Sequence, residues 1–443
     1  MVQRDLETID YAARRRAFLK KIKHGVAVFP AAREFPRNAG VLHPFRQESN
    51  FYYLTGHHEP HSYCLLACES EEAFSLFVPP KDPHQELWQG KILGPTAAKH
   101  RYQADAAYPS QPDKHFDDAF SAAVRKADVL YYRFGDDHEF DRRILRLMEN
   151  ALSGMRRSNR GLLPIHDPDD ILSEMRLLKT RAEIARLQIA CNITAEAHVE
   201  AMKLTRPGMF EYEIEALVDH SFRARGSKRA GYGSIVAGGA NACTLHYESN
   251  DQLLHHGDLL LIDAGAEFDF YTADVTRTFP VGREFTEPQR RVYEAVLRAQ
   301  KECIAEVRPG KTLLALHEHA IEVLIEALRK LQILKGTAAQ IRRSQSFREF
   351  YPHGTSHWLG MDVHDVGRYY EDKYGVERKL QPGHVFTIEP GLYFGAASSA
   401  PSHYKGIGVR IEDDILVTAE GCKVLTSAVP KEVDEIEALR ASF

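Results

Sequence analysis

The sequence predicts an α+β protein in two parts: a smaller α/β domain, then a larger domain that runs helix, helix, strands and repeats that order once. Three observations predict it. At 443 residues the chain exceeds what one ordinary core supports. Its texture changes at Gly161–Asp170, a polar segment with two prolines that reads as a linker, so the expected domains are 1–168 and 169–443. Four carboxylates on strand-like segments also divide between the two halves of the second part, Asp263 and Asp274 in one, Glu389 and Glu412 in the other.

In the first part, Ile9–Lys23 has helical spacing and composition. Gly25–Phe29, Ser62–Ala67, Phe74–Val78 and Val129–Phe134 read as strands, and His115–Ala127 and Phe140–Leu152 as helices, which suggests a mainly mixed sheet. The basic residues Arg14, Arg15, Arg16, Lys20, Lys21 and Lys23 read as the solvated face of the first helix. In the second part, Thr180 and Glu183 form a capping box that opens a helix to about Lys203, and Phe210–Arg225 follows it. Gly233–Ala237 and Cys243–Tyr247 read as strands ahead of Leu259–Pro280. A further helix opens at Thr286–Gln289 and stops at Arg308–Gly310, Thr312–Leu331 is its partner, and strands return at Val385–Glu389 and Gly408–Val417.

Composition narrows the function. Hydrophobic residues make up 44% and charged residues 27%, with a net charge of −5 and an isoelectric point near 6.5, so nothing pulls the whole chain toward nucleic acid. The cysteines form no close metal-binding array, and Cys64 and Cys68, in an apolar run, read as core thiols. There is no apolar signal region at the N-terminus and no run of about 18 apolar residues. The expectation is a reduced, cytoplasmic protein that binds neither membrane nor nucleic acid.

The chemistry gathers around Leu259–Pro280. An apolar run ends in Asp263, and Asp274 interrupts a second strand-like run, so two antiparallel strands would aim two carboxylates at one place. Uncompensated charges there are costly, and a cation between them is the natural remedy. Glu389 tops an apolar strand stopped by Pro390 and Gly391, and Glu412 alternates with Val409 and Ile411. Alone, either would read as a surface carboxylate at a strand end. His353, His357 and His364 fall among glycines, and His246 stands in a further short segment, which suggests ligands and proton-handling groups around a cavity. Four carboxylates and an imidazole make a hard, oxygen-rich site that suits Mn²⁺, with Co²⁺ or Zn²⁺ workable, and two divalent ions would balance the charge. No nucleophile-elbow serine motif, phosphate-binding loop or zinc-protease helix motif is present.

The segments Phe45–Gly56, Glu86–Gly90, Leu245–Tyr247, Leu261–Gly265, Asp274–Pro280, His353–Gly360, Val363–Asp365, Thr387–Gly391 and Val409–Asp414 are specific in combination. Through them the chain resembles, over essentially its whole length, the aminopeptidase P family of pita-bread metallopeptidases, which also includes prolidase and methionine aminopeptidase. The resemblance implies a pseudo-twofold pita-bread catalytic domain behind a smaller α/β domain that serves oligomerisation and substrate access. It implies two metal ions, usually manganese, on Asp263, Asp274, His357, Glu389 and Glu412, with Asp274 and Glu412 bridging. His246, His353 and His364 match active-site histidines, Arg410 an arginine beside the bridging glutamate, and Tyr232 a tyrosine near the metals. Trp88 matches an aromatic that reaches a neighbouring subunit's site in oligomeric relatives, so a dimer or tetramer is expected.

The activity so implied is removal of the first residue from peptides whose second residue is proline. A hydroxide bridging the metals would attack the Xaa-Pro carbonyl, Glu389 would carry the proton, and His246 and His364 would donate hydrogen bonds. The nearest rival is prolidase, which cuts only Xaa-Pro dipeptides and needs a positive group for the free carboxylate. Arg378 could serve there, although a surface arginine is the plainer reading. The short Gly391–Gly406 connection fits the aminopeptidase better, and the match to the family is loose over Tyr369–Lys379. Creatinase shares the fold but works without metal, and metal-free binding proteins on this fold lack ligands that this chain retains.

Overall fold

The computed structural model describes residues 6–153 and 161–441. Its contacts divide the chain into two units, the first covering Thr8–Met175 and the second the chain from Arg176 onward.

The first unit is built on a strand that must be covered on both faces. Gly25–Pro30 is buried at every position but the last, and such a run belongs inside a sheet. It pairs antiparallel with Tyr63–Ala67 and parallel with Val129–Tyr131. Phe74–Val78, Ala106–Pro109 and Ile165–His166 complete a mixed six-stranded sheet. Helices Lys114–Lys126 and His138–Ser153 pack Phe116, Phe120, Ile144 and Met148 against it. Cys64 is buried in this sheet, while Cys68 is half-buried.

Two expectations change here. Gly161–Asp170 is not a free linker, because Ile165–His166 pairs with Leu130–Tyr131 at the sheet edge. Pro164 suits the start of an edge strand, which needs fewer backbone donors, and Pro168 leads into the helix Asp169–Leu177, whose Leu172 amide donates to the Pro168 carbonyl. Nor are Arg14 and Arg15 on a solvated face: they are 7% and 4% exposed. Arg14 donates to the Tyr53 carbonyl, and Arg15 to those of Leu54 and Tyr102. These carbonyls close the helices Ser49–Thr55 and Gly94–Tyr102 and have no partner within them, so the two arginines finish helix ends.

In the second unit, Arg181–Leu204 opens on the expected capping box, with the Thr180 hydroxyl on the Glu183 amide and the Glu183 carboxylate on the Thr180 amide. Glu211–Ala224 packs beside it, as Leu313–Lys330 does beside Glu287–Ala305. Each helix pair is followed by strands. Leu259–Asp263 lies between Ile235–Gly238 and Thr276–Pro280 in one sheet, and Asp413–Val417 between Val385–Ile388 and Cys422–Val424 in another. Short ladders continue beyond both: Ala266–Phe268 with Tyr271–Thr272, and Gly391–Tyr393 with Gly408–Arg410. The halves therefore share one plan, two strand pairs each broken partway along. Cys243–Tyr247 is not a strand; it follows the 3₁₀ turn Gly239–Cys243 in irregular backbone. Leu245 and His246 line a cavity, while the Tyr247 hydroxyl donates to Glu211 at 2.8 Å.

A buried ion network sits between the halves. Asp413 bonds to Arg277 at 2.7 Å and to Lys431 at 2.6 Å, and both Arg277 and Asp413 are fully buried. Arg277 also donates to the Glu412 carbonyl at 2.6 Å. Burial opposes the Asp413 charge, but Arg277 and Lys431 outweigh it and hold the carboxyl at about 2. A lowered carboxyl pKa adds stability that is complete above its unfolded value, about 3.9, and fades as pH falls through about 2. Asp413→Asn should therefore lower unfolding stability by about 3 kcal/mol or more near pH 6, since it strands two cations. The gap to the unaltered protein should narrow as pH approaches 2, which denaturant melts across that range would measure.

Candidate metal centre

The four expected carboxylates stand at the four breaks in the paired strands. Asp263 ends Leu259–Asp263 just before Ala266–Phe268. Asp274 lies between Tyr271–Thr272 and Thr276–Pro280. Glu389 lies between Val385–Ile388 and Gly391–Tyr393, and Glu412 between Gly408–Arg410 and Asp413–Val417. Asp263 is the last paired residue of its strand, and the other three lie just outside theirs, where the ladder no longer dictates side-chain direction and a carboxylate can turn inward. Local sequence makes the breaks possible. Pro390 supplies no backbone donor after Glu389. A Cβ on Gly265 would lie 1.7 Å from the Ala273 carbonyl oxygen, so only glycine lets the Asp263 and Asp274 segments approach.

His357 arrives beside them on irregular chain that follows the Val385–Ile388 edge. The Thr387 amide donates to the His357 carbonyl and the Glu389 amide to that of Thr355. Trp358, fully buried against His384 and Phe386, anchors the segment. His357 Nε2 lies 3.2 Å from Asp274 Oδ2, 3.6 Å from Glu389 Oε1 and 4.0 Å from Glu412 Oε1. Asp274, His357 and Glu412 each offer an atom within 4.8 Å of the other two.

The other site residues frame this cluster. The Tyr232 hydroxyl is 2.7 Å from Asp263 Oδ1 and 2.5 Å from Asp274 Oδ1. Arg410 donates to Asp263 Oδ2 at 2.5 Å, to Thr276 Oγ1 at 3.1 Å and to the Tyr393 hydroxyl at 3.1 Å. Tyr393 also meets His353 Nε2 at 2.8 Å. Thr276 Oγ1 donates to Glu412 Oε2 at 2.6 Å, tying the first half to the second. The His364 ring stands edge-on to His357, with centroids 4.4 Å apart. Its neighbour Asp365 is clamped by Arg176 at 2.5 Å and Lys179 at 3.0 Å, which fixes the loop that carries it.

One cavity of about 440 Å³ is lined by Tyr232, His246, Asp263, Asp274, His353, His357, His364, Glu389, Arg410 and Glu412. Trp88 is not among its lining residues; it lies on Pro83–Gln89 of the first unit and is 77% exposed. Sequence reasoning missed Tyr393, Thr276 and the Asp365 clamp. Strand alternation gives no guide to Tyr393, because the break at Glu389 interrupts the register between positions 389 and 393. Arg176 and Lys179, far from Asp365 in sequence, carried no local signal.

The electrostatics call for cations. Burial drives the Glu389 carboxyl up to about 7 against the pull of His357 and Arg410. Burial and then the neighbouring Asp274 and Glu389 charges push Glu412 well above the carboxylate range, and burial raises Asp274 too. Burial disfavours charge on His357, yet its hydrogen bond to Asp274 and the Glu389 charge lift it to about 9. Carboxylates crowded this closely resist ionising together unless positive charge stands among them. The donor set, four carboxylates and one imidazole converging on one cavity, fits divalent cations with a preference for oxygen ligands.

A carboxylate-rich metal centre between two halves of like plan defines a pita-bread metallopeptidase. Comparison with known proteins agrees. Metallopeptidase family M24 matches residues 185–419, and the aminopeptidase P N-terminal domain matches residues 11–131. The chain is 42% identical to the Xaa-Pro aminopeptidase of Haemophilus influenzae over 96% of this chain and 95% of that one. Among solved structures, Pseudomonas aeruginosa aminopeptidase PepP superposes with a TM-score of 0.93 at 40% identity, covering 98% of each chain. Zinc-substituted Escherichia coli aminopeptidase P in complex with product gives 0.92 at 38% identity, again over 98% of each. The chain belongs to metallopeptidase family M24, in its aminopeptidase P branch.

Proposed function

We propose that this metal-dependent Xaa-Pro aminopeptidase holds two divalent ions, Mn²⁺ foremost with Co²⁺ or Zn²⁺ as workable substitutes, on Asp263, Asp274, His357, Glu389 and Glu412. The observation that carries the reading is the convergence of all five side chains on one cavity. Such ions, when bound, lower the pKa of water and polarise a carbonyl. The rest falls to the protein. An Xaa-Pro bond is a tertiary amide, and its nitrogen must be protonated to leave. Glu389 takes the proton from the attacking water and passes it to that nitrogen. His246 and His364, both exposed on the cavity wall, donate hydrogen bonds to substrate and to the developing oxyanion. Burial first, and then Arg410, lowers His353 to about 4, so its ring is neutral at pH 7 and binds substrate as a neutral group.

The same reading makes the protein a cytoplasmic homo-oligomer, a dimer or tetramer, in which the first unit serves oligomerisation and substrate access. The exposed Trp88 supports a contact with a neighbouring subunit. Among the described residues no helix is long and apolar enough to cross a membrane. Arg378 Nε donates to the Arg368 carbonyl at 2.7 Å, an engagement that favours its structural reading over capture of a dipeptide carboxylate. The test is hydrolysis, with added Mn²⁺, of Xaa-Pro-Yaa tripeptides against Xaa-Pro dipeptides. Preference for the tripeptides by tenfold or more is expected; exclusive cleavage of dipeptides would return the chain to the prolidase reading.

A further inference from the structure

Beside the catalytic cavity lies a second cavity of about 260 Å³. The two share Gly354 and Ser356 as wall residues. Gly354 is exposed, and a Cβ built on it would meet nothing within 4 Å, so the wall between the cavities is low and open there. The second cavity differs in chemistry from the first. Leu313, Leu314, Trp358, Tyr369 and Tyr370 give it an apolar and aromatic surface. Most of its polar members bond within the wall, Thr312 to Glu377 at 2.5 Å and His317 to Thr355 at 2.8 Å, while Arg378 donates to the Arg368 carbonyl and Ser356 Oγ, on the shared wall, is buried without a hydrogen-bond partner among the described residues. Leu314, Tyr369 and Tyr370 are 40%, 45% and 47% exposed, which is unusual for large side chains grouped around one concavity.

We infer that this cavity is a specificity pocket for an apolar or aromatic side chain on the peptide downstream of its proline. The inference rests on the proposed aminopeptidase activity, and direction follows from it. An exopeptidase that removes one residue has a single residue on the amino side of the scissile bond. That residue carries the scissile carbonyl and is held in the catalytic cavity, so the neighbouring cavity is assigned to the residues after the proline. Extended chain advances about 3.3 Å per residue, so the third to fifth residues are the candidates to cross at Gly354.

The test measures kcat/KM, with Mn²⁺, for Ala-Pro-Gly and for Ala-Pro-Gly-Gly-Gly with Phe placed at the third, fourth or fifth position. The unaltered protein should favour Phe over Gly at one of these positions by about tenfold or more, mainly through KM. Leu314→Asp and Tyr370→Ala should each abolish that preference and leave Ala-Pro-Gly unchanged. Leu314 lies in the first turn of Leu313–Lys330, where an aspartate suits the helix, so this variant should fold. No preference at any position, or the same preference in both variants, would overturn the pocket while leaving the aminopeptidase intact. Failure to cleave even Ala-Pro-Gly would overturn the underlying activity, and the pocket with it.

Discussion

Glu389→Gln should lower kcat on Xaa-Pro-Yaa peptides by about 10²–10⁴-fold, the range a positioned general acid–base contributes. Glutamine matches glutamate in size and keeps one oxygen for a cation, but it cannot accept a proton. The position argues for proton transfer. Glu389 stands at a strand break with its oxygens 3.6 Å from His357 Nε2 and 3.8 Å from His353 Nδ1, and its carboxyl is raised to about 7 by burial. Its backbone is held by the Thr355 carbonyl, so the substitution should leave the fold in place. Kinetics at saturating Mn²⁺, with metal content measured on the same sample, decide the matter. Near-full turnover with metals bound would remove Glu389 from the proton path.

Asp274→Ala should act through binding. Asp274 meets His357 and Tyr232 and shares the donor cluster with Glu412. Its loss should leave the protein with fewer than two ions per chain and reduce turnover by more than about 100-fold, because even outer residues of metal sites are worth 10–100-fold. The backbone amide of Asp274 is tied separately to Asp414 Oδ2 at 3.1 Å, so the chain should keep its path without the side chain. Metal content by mass spectrometry, alongside the melting temperature, separates lost binding from lost folding. Two ions retained with normal turnover would take Asp274 out of the site.

Much of this site was legible because its signals are local. An apolar run that ends on a carboxylate reads as a strand end wherever it occurs, and Asp263 and Glu389 were found that way. His357 stands out as one of three histidines within twelve residues, set among glycines. What escaped depends on partners distant in sequence. Arg14 and Arg15 look like any charged helix face until the carbonyls of Tyr53, Leu54 and Tyr102 come to meet them. Gly408–Val417 read as one strand because alternation survives a bend; the structure breaks it so that Glu412 can turn inward. Cys243–Tyr247 has strand-like composition, but it continues a 3₁₀ turn in irregular backbone and pairs with no strand among the described residues.

The claim on which the rest depends is that the two halves together hold two divalent ions that the activity requires. Titrating the metal-stripped protein with Mn²⁺ by calorimetry, while following cleavage of an Xaa-Pro-Yaa peptide in parallel, tests it most directly. The account predicts binding that saturates at two ions per chain, with turnover rising as the sites fill. Full turnover in the presence of a strong chelator, or no binding at all, would contradict it.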